Sequence, residues 1–203
     1  MSALNQVSVH IQPMTRQEFM GKEKKLTISY SIVKVPLGRF LIASTSKGVC
    51  YLMPADKKYN AVEMLKRHFS HARFRCQKVN HHKMASYLLR QRYDKVPDFY
   101  LHLYGTEFQL AVWEDLLNVT SGMVTTYWDI ARRIGKPRAA RPVGQAVGKN
   151  PIMYIIPCHR VICKNGTLGG YRWGIDKKIK FLNKETCCMQ QSQGMSRWDP
   201  TFF

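Results

Sequence analysis

Hydrophobic residues recur at two different spacings along this chain, and the change of spacing limits the folds it can adopt. The segment Leu26–Ile32 alternates hydrophobic and polar residues, which is the pattern of a half-buried β-strand. After Gly105 the hydrophobic residues instead follow helical spacing. Strands in the first half and helices in the second predict an α+β fold with two domains.

The first half has the turns and apolar runs of a small antiparallel sheet. Pro36-Leu37-Gly38 marks a turn, and the apolar runs Phe40–Ala43 and Val49–Leu52 mark two strands after it. Asn60–Glu63 fits a capping box that begins a helix. The sheet is expected to end near Val96-Pro97-Asp98. The predicted divisions are a flexible arm over 1–25, an N-terminal α/β domain over 26–98, a second domain over 99–187 and a tail over 188–203.

The second half fits a run of short helices. Thr106–Gln109 and Thr126–Asp129 each have the spacing of a helix cap. A helix over Thr126–Ile134, the turn Gly135-Lys136 and a helix over Pro137–Val147 have the proportions of a helix-turn-helix, whose second helix usually enters a DNA groove. A tight hairpin or wing and a final helix are expected after it, at Asn165-Gly166, Gly169-Gly170 and Asp176–Glu185.

The charge of the chain is strongly positive and unevenly distributed. Its 203 residues include 32 Lys+Arg and 13 Asp+Glu, which gives a formal net charge of +19. Charge alone fits a nucleic-acid-binding protein and a solvated basic surface equally well. Between Leu116 and Ile175, however, nine basic residues stand against one acidic residue, Asp129. This concentration favours nucleic acid as the partner. The nine are Arg132, Arg133, Lys136, Arg138, Arg141, Lys149, Arg160, Lys164 and Arg172.

Cysteine usage and hydropathy favour an intracellular protein without a bound metal. Six cysteines are too few for a disulfide scaffold in a chain of this length, so we expect free thiols. There is neither an apolar run of the roughly 20 residues that a membrane span needs nor the apolar core of a signal peptide. We therefore expect the cytoplasm of a prokaryote or the nucleus of a eukaryote. No zinc site is expected, because the Cys and His residues of the first half lack metal-ligand spacing. These residues are Cys50, His68, His71, Cys76, His81 and His82.

The segment Ile155–Ile162 is the strongest candidate for chemistry. It places Cys158 and His159 between two apolar pairs, with Pro157 fixing the backbone before the thiol. A thiol reacts as its thiolate, and a neighbouring histidine can remove the proton. Taken alone, a Cys-His pair also fits a buried structural cysteine.

The wider pattern favours the first interpretation, because Gly105–Glu185 resembles the DNA-binding catalytic domain of O6-alkylguanine-DNA alkyltransferases. Pro157-Cys158-His159-Arg160 following Ala139-Ala140-Arg141 at this spacing is specific for that family. The likeness is looser over the strands before it, and it is closest to the bacterial Ada-type carboxyl-terminal domain at Gly170–Gly174. The other matching motifs are Gly105–Gln109, Val112-Trp113, the Tyr127 helix, Pro142–Gly144, Asn150-Pro151 and Gly166–Gly169.

The resemblance implies both a fold and a reaction. The fold is an RNase H-like N-terminal α/β domain with an antiparallel sheet, followed by a mainly helical, winged helix-turn-helix-like domain. The reaction is direct, irreversible transfer of an alkyl group, such as methyl, from O6 of guanine in DNA to Cys158, once per molecule. The expected partner is double-stranded DNA that contains O6-alkylguanine, with O4-alkylthymine as a further candidate. No cofactor, metal or membrane is implied, and a monomer is expected.

Five residues are implied to carry the chemistry by their positions in the family's motifs. Cys158 accepts the alkyl group, His159 removes the thiol proton through water, and Glu185 orients His159. Tyr127 donates a proton toward the leaving guanine, and Asn150 braces the active-site turn. The residues implied to line the pocket for the base are Gly169, Gly170, Tyr171 and Trp173.

The resemblance also implies that the damaged nucleotide leaves the base stack, because a base inside a duplex cannot reach a buried thiol. Arg141 is implied to fill the space that the flipped nucleotide vacates. The residues implied to contact DNA are Thr126, Tyr127, Arg138, Ala140, Arg141, Gln145, Lys149 and Arg160.

Two other functions remain open on the sequence alone. An alkyltransferase-like protein would bind O6-alkylguanine without repairing it, but such relatives lack the reactive cysteine that Cys158 supplies. A cysteine hydrolase could use Cys158 and His159, but the basic helix-turn-helix would then have no purpose.

Overall fold

The computed structural model describes residues 7–22, 25–56, 58, 60–90 and 98–193, and these divide into two units. The first unit contains the described residues up to Leu110 together with Pro151–Ile155. The second contains Ala111–Asn150 and the described residues from Ile156 onward. Within these ranges no helix is long and apolar enough to cross a membrane. Residues 1–6 of the predicted arm, 194–203 of the predicted tail and the predicted sheet end at Val96-Pro97 lie outside the described residues.

The first unit is built on one six-stranded sheet. Its strands are β1 (Ser8–Pro13), β2 (Thr27–Val35), β3 (Gly38–Ser44), β4 (Val49–Pro54), β5 (Arg73–Cys76) and β6 (Asp98–Leu103). The helices between them are α1 (Arg16–Met20), α2 (Ala61–His68) and α3 (Asn80–Leu89). Across the sheet the strands lie in the order β1-β6-β4-β3-β2-β5.

The antiparallel meander predicted from the alternating segments is confirmed. β2 pairs with β3, and β3 pairs with β4, all antiparallel. Phe40–Ala43 and Val49–Met53 form the centre of the core, since each of these residues is at most 2% exposed. The sheet as a whole is mixed, however, because β1 pairs with β6 and β5 with β2 in parallel. The helix α2 lies between β4 and β5, and a connection of this length allows a strand to return in parallel.

The prediction of a loosely held arm before Lys25 is wrong for residues 8–20. β1 pairs with β6 along its whole length. Thr15 and Glu18 form a complete capping box at the start of α1. The partner of β1 is distant in the sequence, so no local pattern marked the pairing. β6 itself was also not predicted, because it follows the expected end of the sheet.

The second unit is mainly helical. Its elements are β7 (Thr125–Thr126), α5 (Tyr127–Arg133), α6 (Ala140–Gly148), β8 (Val161–Ile162) and α7 (Ile175–Gln193), and α4 (Glu107–Leu117) runs into it from the first unit. Both predicted caps are formed. Thr106 exchanges hydrogen bonds with Gln109, and Thr126 does so with Asp129.

The helix predicted to begin at Pro137 begins at Ala140 instead. Ala139 N donates to Lys136 O at 2.8 Å and closes a turn whose second residue is Pro137. Proline favours that position because the turn requires the φ angle that its ring fixes. The helix can start only after this turn ends.

The predicted hairpin or wing after β8 is a turn without a second strand. β8 pairs in parallel with β7. Cys163 N then donates to Thr167 O at 2.8 Å, and Gly166 N donates to Cys163 O at 3.0 Å. In the part of the chain that the structure describes, α7 is the next regular element after β8.

Gly48 provides a test of the contact between β4 and β6. A Cβ at this position would stand 2.5 Å from the carbonyl oxygen of Tyr100 in β6. Because a strand backbone cannot move aside cheaply, we expect Gly48→Ala to lower the free energy of unfolding by about 2 kcal/mol. Chemical denaturation measures this change. Gly148→Ala is the control, since a Cβ there has nothing within 4 Å. An unchanged denaturation midpoint for Gly48→Ala would contradict the position of β6.

Candidate active site

The Cys158 segment is fixed by backbone hydrogen bonds. Cys158–Arg160 forms a single 3₁₀ turn, and Cys158 N donates to Ile156 O at 2.8 Å. The preceding segment Pro151–Ile155 is joined to β4, where Leu52 N donates to the Pro151 carbonyl at 2.9 Å. β8 follows the turn directly and pairs with β7. The thiol therefore belongs to a rigid turn.

A cavity of about 390 Å³ lies beside Cys158. Its volume falls within the range of small-molecule sites, roughly 300–1,000 Å³. Gly144 and Gly148 of α6 contribute no side chain to its wall, and a Cβ on Gly144 would stand 3.7 Å from the ring of Tyr127. The residues that line it are Tyr127, Gly144, Val147, Gly148, Asn150, Cys158, Gly170, Tyr171, Arg172 and Trp173.

The cavity brings together most of the residues predicted for the chemistry and the pocket. Those that line it are Tyr127, Asn150, Cys158, Gly170, Tyr171 and Trp173. Gly169 is outside this lining but close to it, since a Cβ on Gly169 would stand 3.4 Å from Tyr127 Oη. His159 and Glu185 are buried within the unit instead of lining the cavity.

The thiol of Cys158 is protonated at rest. Burial raises its pKa, whereas hydrogen bonds with Asn150 and Tyr171 and the charge of Lys178 act in the opposite direction without reversing the shift. Sγ lies 3.8 Å from Tyr171 Oη. Burial also raises the pKa of Tyr171 well above its ordinary value, so this phenol keeps its proton. Cys158 therefore needs a base before it can act as a nucleophile.

His159 and Glu185 form a buried pair that can supply this base. His159 Nε2 lies 2.8 Å from Glu185 Oε1, and both side chains are 0% exposed. Burial acts to raise the pKa of Glu185, but hydrogen bonds from His159 and Arg160 and the positive charge of Arg160 outweigh it and hold the pKa at about 2. Burial lowers the pKa of His159 despite the carboxylate, so the imidazole is neutral. A neutral imidazole donates Nε2–H to a carboxylate, which leaves Nδ1 as the nitrogen that can accept a proton.

The prediction that Arg160 contacts DNA is wrong. The residue is 5% exposed, and its Nε and Nη2 donate to Glu185 Oε2 and Oε1 at 2.9 and 2.7 Å. Its Nη1 donates to the Val119 carbonyl. Gly122 N also donates to Glu185 Oε2, at 3.3 Å. Arg160 therefore balances the charge of the buried carboxylate.

Lys178 belongs to the site although nothing predicted it. Its Nζ donates to Val161 O at 2.6 Å and to the Leu168 carbonyl, and the residue has no exposed surface. Burial lowers its pKa to about 8, and the thiols of Cys158 and Cys163 act against that shift. Lys178 therefore connects β8 with Leu168, which precedes the cavity-lining residue Gly170 by two positions.

The remaining predicted DNA contacts are on or near α5 and α6. Arg138, Arg141, Gln145 and Lys149 are exposed, Ala140 is half-buried, and Thr126 Oγ1 donates to Asp129 Oδ2 at 2.6 Å within the helix cap. Among the nine basic residues, Arg160 is buried, and Arg133 forms two hydrogen bonds of 2.8 Å with Asp115. The other seven are exposed: Arg132, Lys136, Arg138, Arg141, Lys149, Lys164 and Arg172.

These features are the ones that a protein with a cysteine nucleophile requires: a thiol on a turn held by hydrogen bonds, a neutral histidine paired with a carboxylate, and an adjoining cavity. Residues 107–187 match the family model described as 6-O-methylguanine DNA methyltransferase, DNA binding domain. The inducible methylated-DNA--protein-cysteine methyltransferase of Bacillus subtilis is 37% identical over 79% of this chain and 92% of its own length. The chain belongs to the methylated-DNA--protein-cysteine methyltransferase family.

Two further comparisons extend this likeness. The bifunctional transcriptional activator/DNA repair enzyme Ada of Escherichia coli is 34% identical over 85% of this chain. The chain spans about half of that relative, 49% of its length. The crystal structure of Mycobacterium tuberculosis OGT in complex with DNA is 32% identical in sequence, with a TM-score of 0.63, covering 78% of this chain and 93% of that chain.

Glu185 provides a test of how the thiol is activated. Glu185→Gln keeps the size of the side chain and an acceptor oxygen but removes the charge that favours protonated His159. We therefore expect the apparent pKa of Cys158 to rise by about one unit. The rate of iodoacetamide alkylation at Cys158, followed against pH by peptide mass spectrometry, measures that pKa. The rate should fall about tenfold at neutral pH and recover as the pH rises.

Two further variants separate this effect from a general loss of structure. Glu114→Gln makes the same chemical change at an exposed position of α4 and should leave the pH profile unchanged. The double variant Arg160→Gln/Glu185→Gln avoids leaving a buried guanidinium without its counter-charge. A folded Glu185→Gln protein with the wild-type pH profile would show that Glu185 takes no part in activating the thiol.

Proposed function

We propose that this protein repairs DNA by transferring an alkyl group from O6 of guanine to Sγ of Cys158. The observation that carries the proposal is a buried thiol in the wall of a cavity of about 390 Å³, next to a buried His159–Glu185 pair. The thiol proton passes to His159 through water, a bond forms between Sγ and the alkyl carbon, and the bond between that carbon and O6 breaks. Guanine leaves with a proton in place of the alkyl group.

Tyr127 and Asn150 support this reaction in different ways. Burial raises the pKa of Tyr127, so its phenol is protonated at neutral pH and can donate toward the guanine as negative charge develops there. Tyr127 lines the same cavity as Cys158. Asn150 Nδ2 donates to Ile156 O at 3.1 Å and so braces the chain just before the nucleophile.

The chemistry of the product favours a single turnover. The alkylated cysteine is a thioether, and water activated by a general base does not cleave a thioether as it cleaves the thioester of a cysteine hydrolase. Alkylated Cys158 is therefore an end product. The presence of Cys158 also distinguishes the chain from a protein that recognises O6-alkylguanine without repairing it.

The proposed partner is double-stranded DNA, bound by a monomer, with O6-alkylguanine as the lesion and O4-alkylthymine as a further candidate. The exposed basic residues supply phosphate contacts, so binding should fall steeply with salt. Because Cys158 is only 5% exposed, the damaged nucleotide must rotate out of the stack to reach it. Gly169, Gly170, Tyr171 and Trp173 would then hold the base. The proposed DNA contacts are Thr126, Tyr127, Arg138, Ala140, Arg141, Gln145 and Lys149.

The same proposal assigns functions to the two units. α5 and α6 act as a helix-turn-helix, with α6 on the DNA, and the first unit is RNase H-like. Support comes from the turn at Pro137 between the two helices and from the mixed sheet with its antiparallel centre.

Intact-protein mass tests the transfer. After incubation with a duplex containing O6-methylguanine, we expect a permanent increase by one methyl group for the wild type and none for Cys158→Ala, which should still bind the duplex. Cys163→Ala is the matched control and should keep the transfer, because its thiol is outside the cavity lining. Binding without a mass change in the wild type would support the recognition-only alternative, and repeated turnover would support a hydrolase.

Arg141 provides a test of base flipping. The residue is the second of α6 and is exposed, so it can enter the stack that the nucleotide leaves. We expect Arg141→Ala to slow the reaction with duplex DNA about a hundredfold, because only the duplex needs the wedge. Reaction with free O6-benzylguanine should be unchanged. Equal losses on both substrates would instead assign Arg141 to the chemistry or to the fold.

A further inference from the structure

An exposed tryptophan stands beside two cations on the second unit. Trp128 is the second residue of α5 and is 37% exposed. The guanidinium carbon of Arg132 lies 4.6 Å from the centre of a ring of Trp128, and Lys164 Nζ lies 5.1 Å from it. Both distances are those of cation–π contacts. These three residues form what we call the tryptophan cluster, and no role proposed above uses Trp128.

The pairing of β7 with β8 brings the residues of the tryptophan cluster together. Thr126 pairs with Ile162 in the parallel ladder. The residues two positions further along each chain, Trp128 and Lys164, are therefore brought side by side. Arg132 joins them from one helical turn further along α5.

The same register places the tryptophan cluster next to the active site. Tyr127 and Cys163 are the residues immediately after the paired strands, and both face Gly169. A Cβ on Gly169 would stand 3.4 Å from Tyr127 Oη and 3.0 Å from Cys163 Sγ. Trp128 and Lys164, one position further on, are exposed. Tyr127 thus lines the cavity and Cys163 lies against Gly169, whereas the next residue of each segment is at the surface.

The charge of the tryptophan cluster fits a polyanion. Arg132 and Lys164 are both exposed, and Asp129 is the acidic residue nearest to Arg132 in the sequence. The carboxylate of Asp129 is held within the cap of α5, where it accepts from Thr126 Oγ1 at 2.6 Å. Two cations ordered on an aromatic ring lose less conformational entropy when they bind phosphate than two free side chains would.

We propose that the tryptophan cluster binds the sugar–phosphate backbone of DNA next to the cavity. Arg132 and Lys164 pair with phosphates, and the indole of Trp128 packs against deoxyribose. Such a contact positions the duplex without reading its sequence, which is what a protein that inspects any guanine requires. The inference rests on the proposed repair function and adds to it a contact that involves an aromatic side chain.

Binding of a short unmodified duplex tests the contact. We expect Trp128→Ala to weaken the affinity about tenfold and Trp128→Phe about threefold or less, because Phe keeps a ring. Arg132→Ala and Lys164→Ala should each lower the slope of log affinity against log salt by about one. Lys66→Ala on α2 is the control for the loss of one exposed positive charge, and its slope should stay that of the wild type.

Tryptophan fluorescence measures the same contact directly. Trp113 and Trp173 are 2% and 3% exposed, so acrylamide should quench Trp128 far more than either of them. Trp198 lies outside the described residues, and the difference between the wild type and Trp128→Phe therefore isolates the signal of Trp128. When duplex is bound, acrylamide should quench the fluorescence of Trp128, obtained from that difference, severalfold less.

Reaction with free O6-benzylguanine separates this inference from the proposed function. The tryptophan cluster is outside the cavity lining, so its variants should react with the free base as fast as the wild type. Slower reaction would show that the cluster acts on the cavity and would overturn the inference. If the Trp128 variants bind duplex as tightly as the wild type, and acrylamide still quenches Trp128 when duplex is bound, the inference is overturned in favour of another partner. If the wild type binds duplex through Trp128 but transfers no alkyl group, the proposed function fails and the inference holds.

Discussion

The buried carboxylate of Glu185 holds the active site together, because donors from two separate segments converge on it. His159 and Arg160 donate from the 3₁₀ turn of the nucleophile, and the backbone N–H of Gly122 donates from the segment after α4. Glu185 itself belongs to α7, with 1% of the residue exposed. Moving a carboxylate out of water costs several kcal/mol, and only a full set of donors with an opposite charge offsets that cost. Glu185 therefore helps to hold the cysteine turn against α7.

His159 and Arg160 contact the same carboxylate but differ in charge, and this difference determines the chemistry that the site allows. Arg160 neutralises Glu185 permanently, so the carboxylate stays ionised whether or not His159 carries a proton. Under the proposed function, His159 can therefore be neutral at rest and become charged during the reaction, with the carboxylate already in place to stabilise the imidazolium. Without Arg160, the site would bury one unbalanced negative charge whenever His159 is neutral. Under the proposed function, the arginine predicted to contact DNA thus serves proton transfer indirectly.

Local spacing predicted most features of this chain that depend on neighbouring residues, although it placed the start of α6 three residues too early and predicted a hairpin after β8. It failed where distant segments meet. The cap formed by Thr126 and Asp129 needs residues three apart, and it could be predicted from them alone. Arg160 could not be placed, because a count of charges treats every arginine as exposed, and its partner Glu185 is 25 positions away. Lys178 did leave a signal, since it lies two helical turns before Glu185 on the same face of α7. A lysine on a buried helical face needs acceptors, and Lys178 finds them in the backbone carbonyls of Val161 and Leu168.

Under the proposed function, the resting state of the thiol suits a protein that one reaction consumes. A permanent thiolate would react with any electrophile that entered the cavity, and each such event would be final. Burial keeps Cys158 protonated, while His159 is already neutral and able to accept the proton. The charge of Lys178, fixed to the Val161 and Leu168 carbonyls, favours the thiolate once it forms but is too weak to generate it at rest. Under the proposed function, reaction then requires both the loss of the thiol proton and a leaving group that Tyr127 can protonate. Under the proposed function, this double requirement restricts the single reaction to a base that fits the cavity.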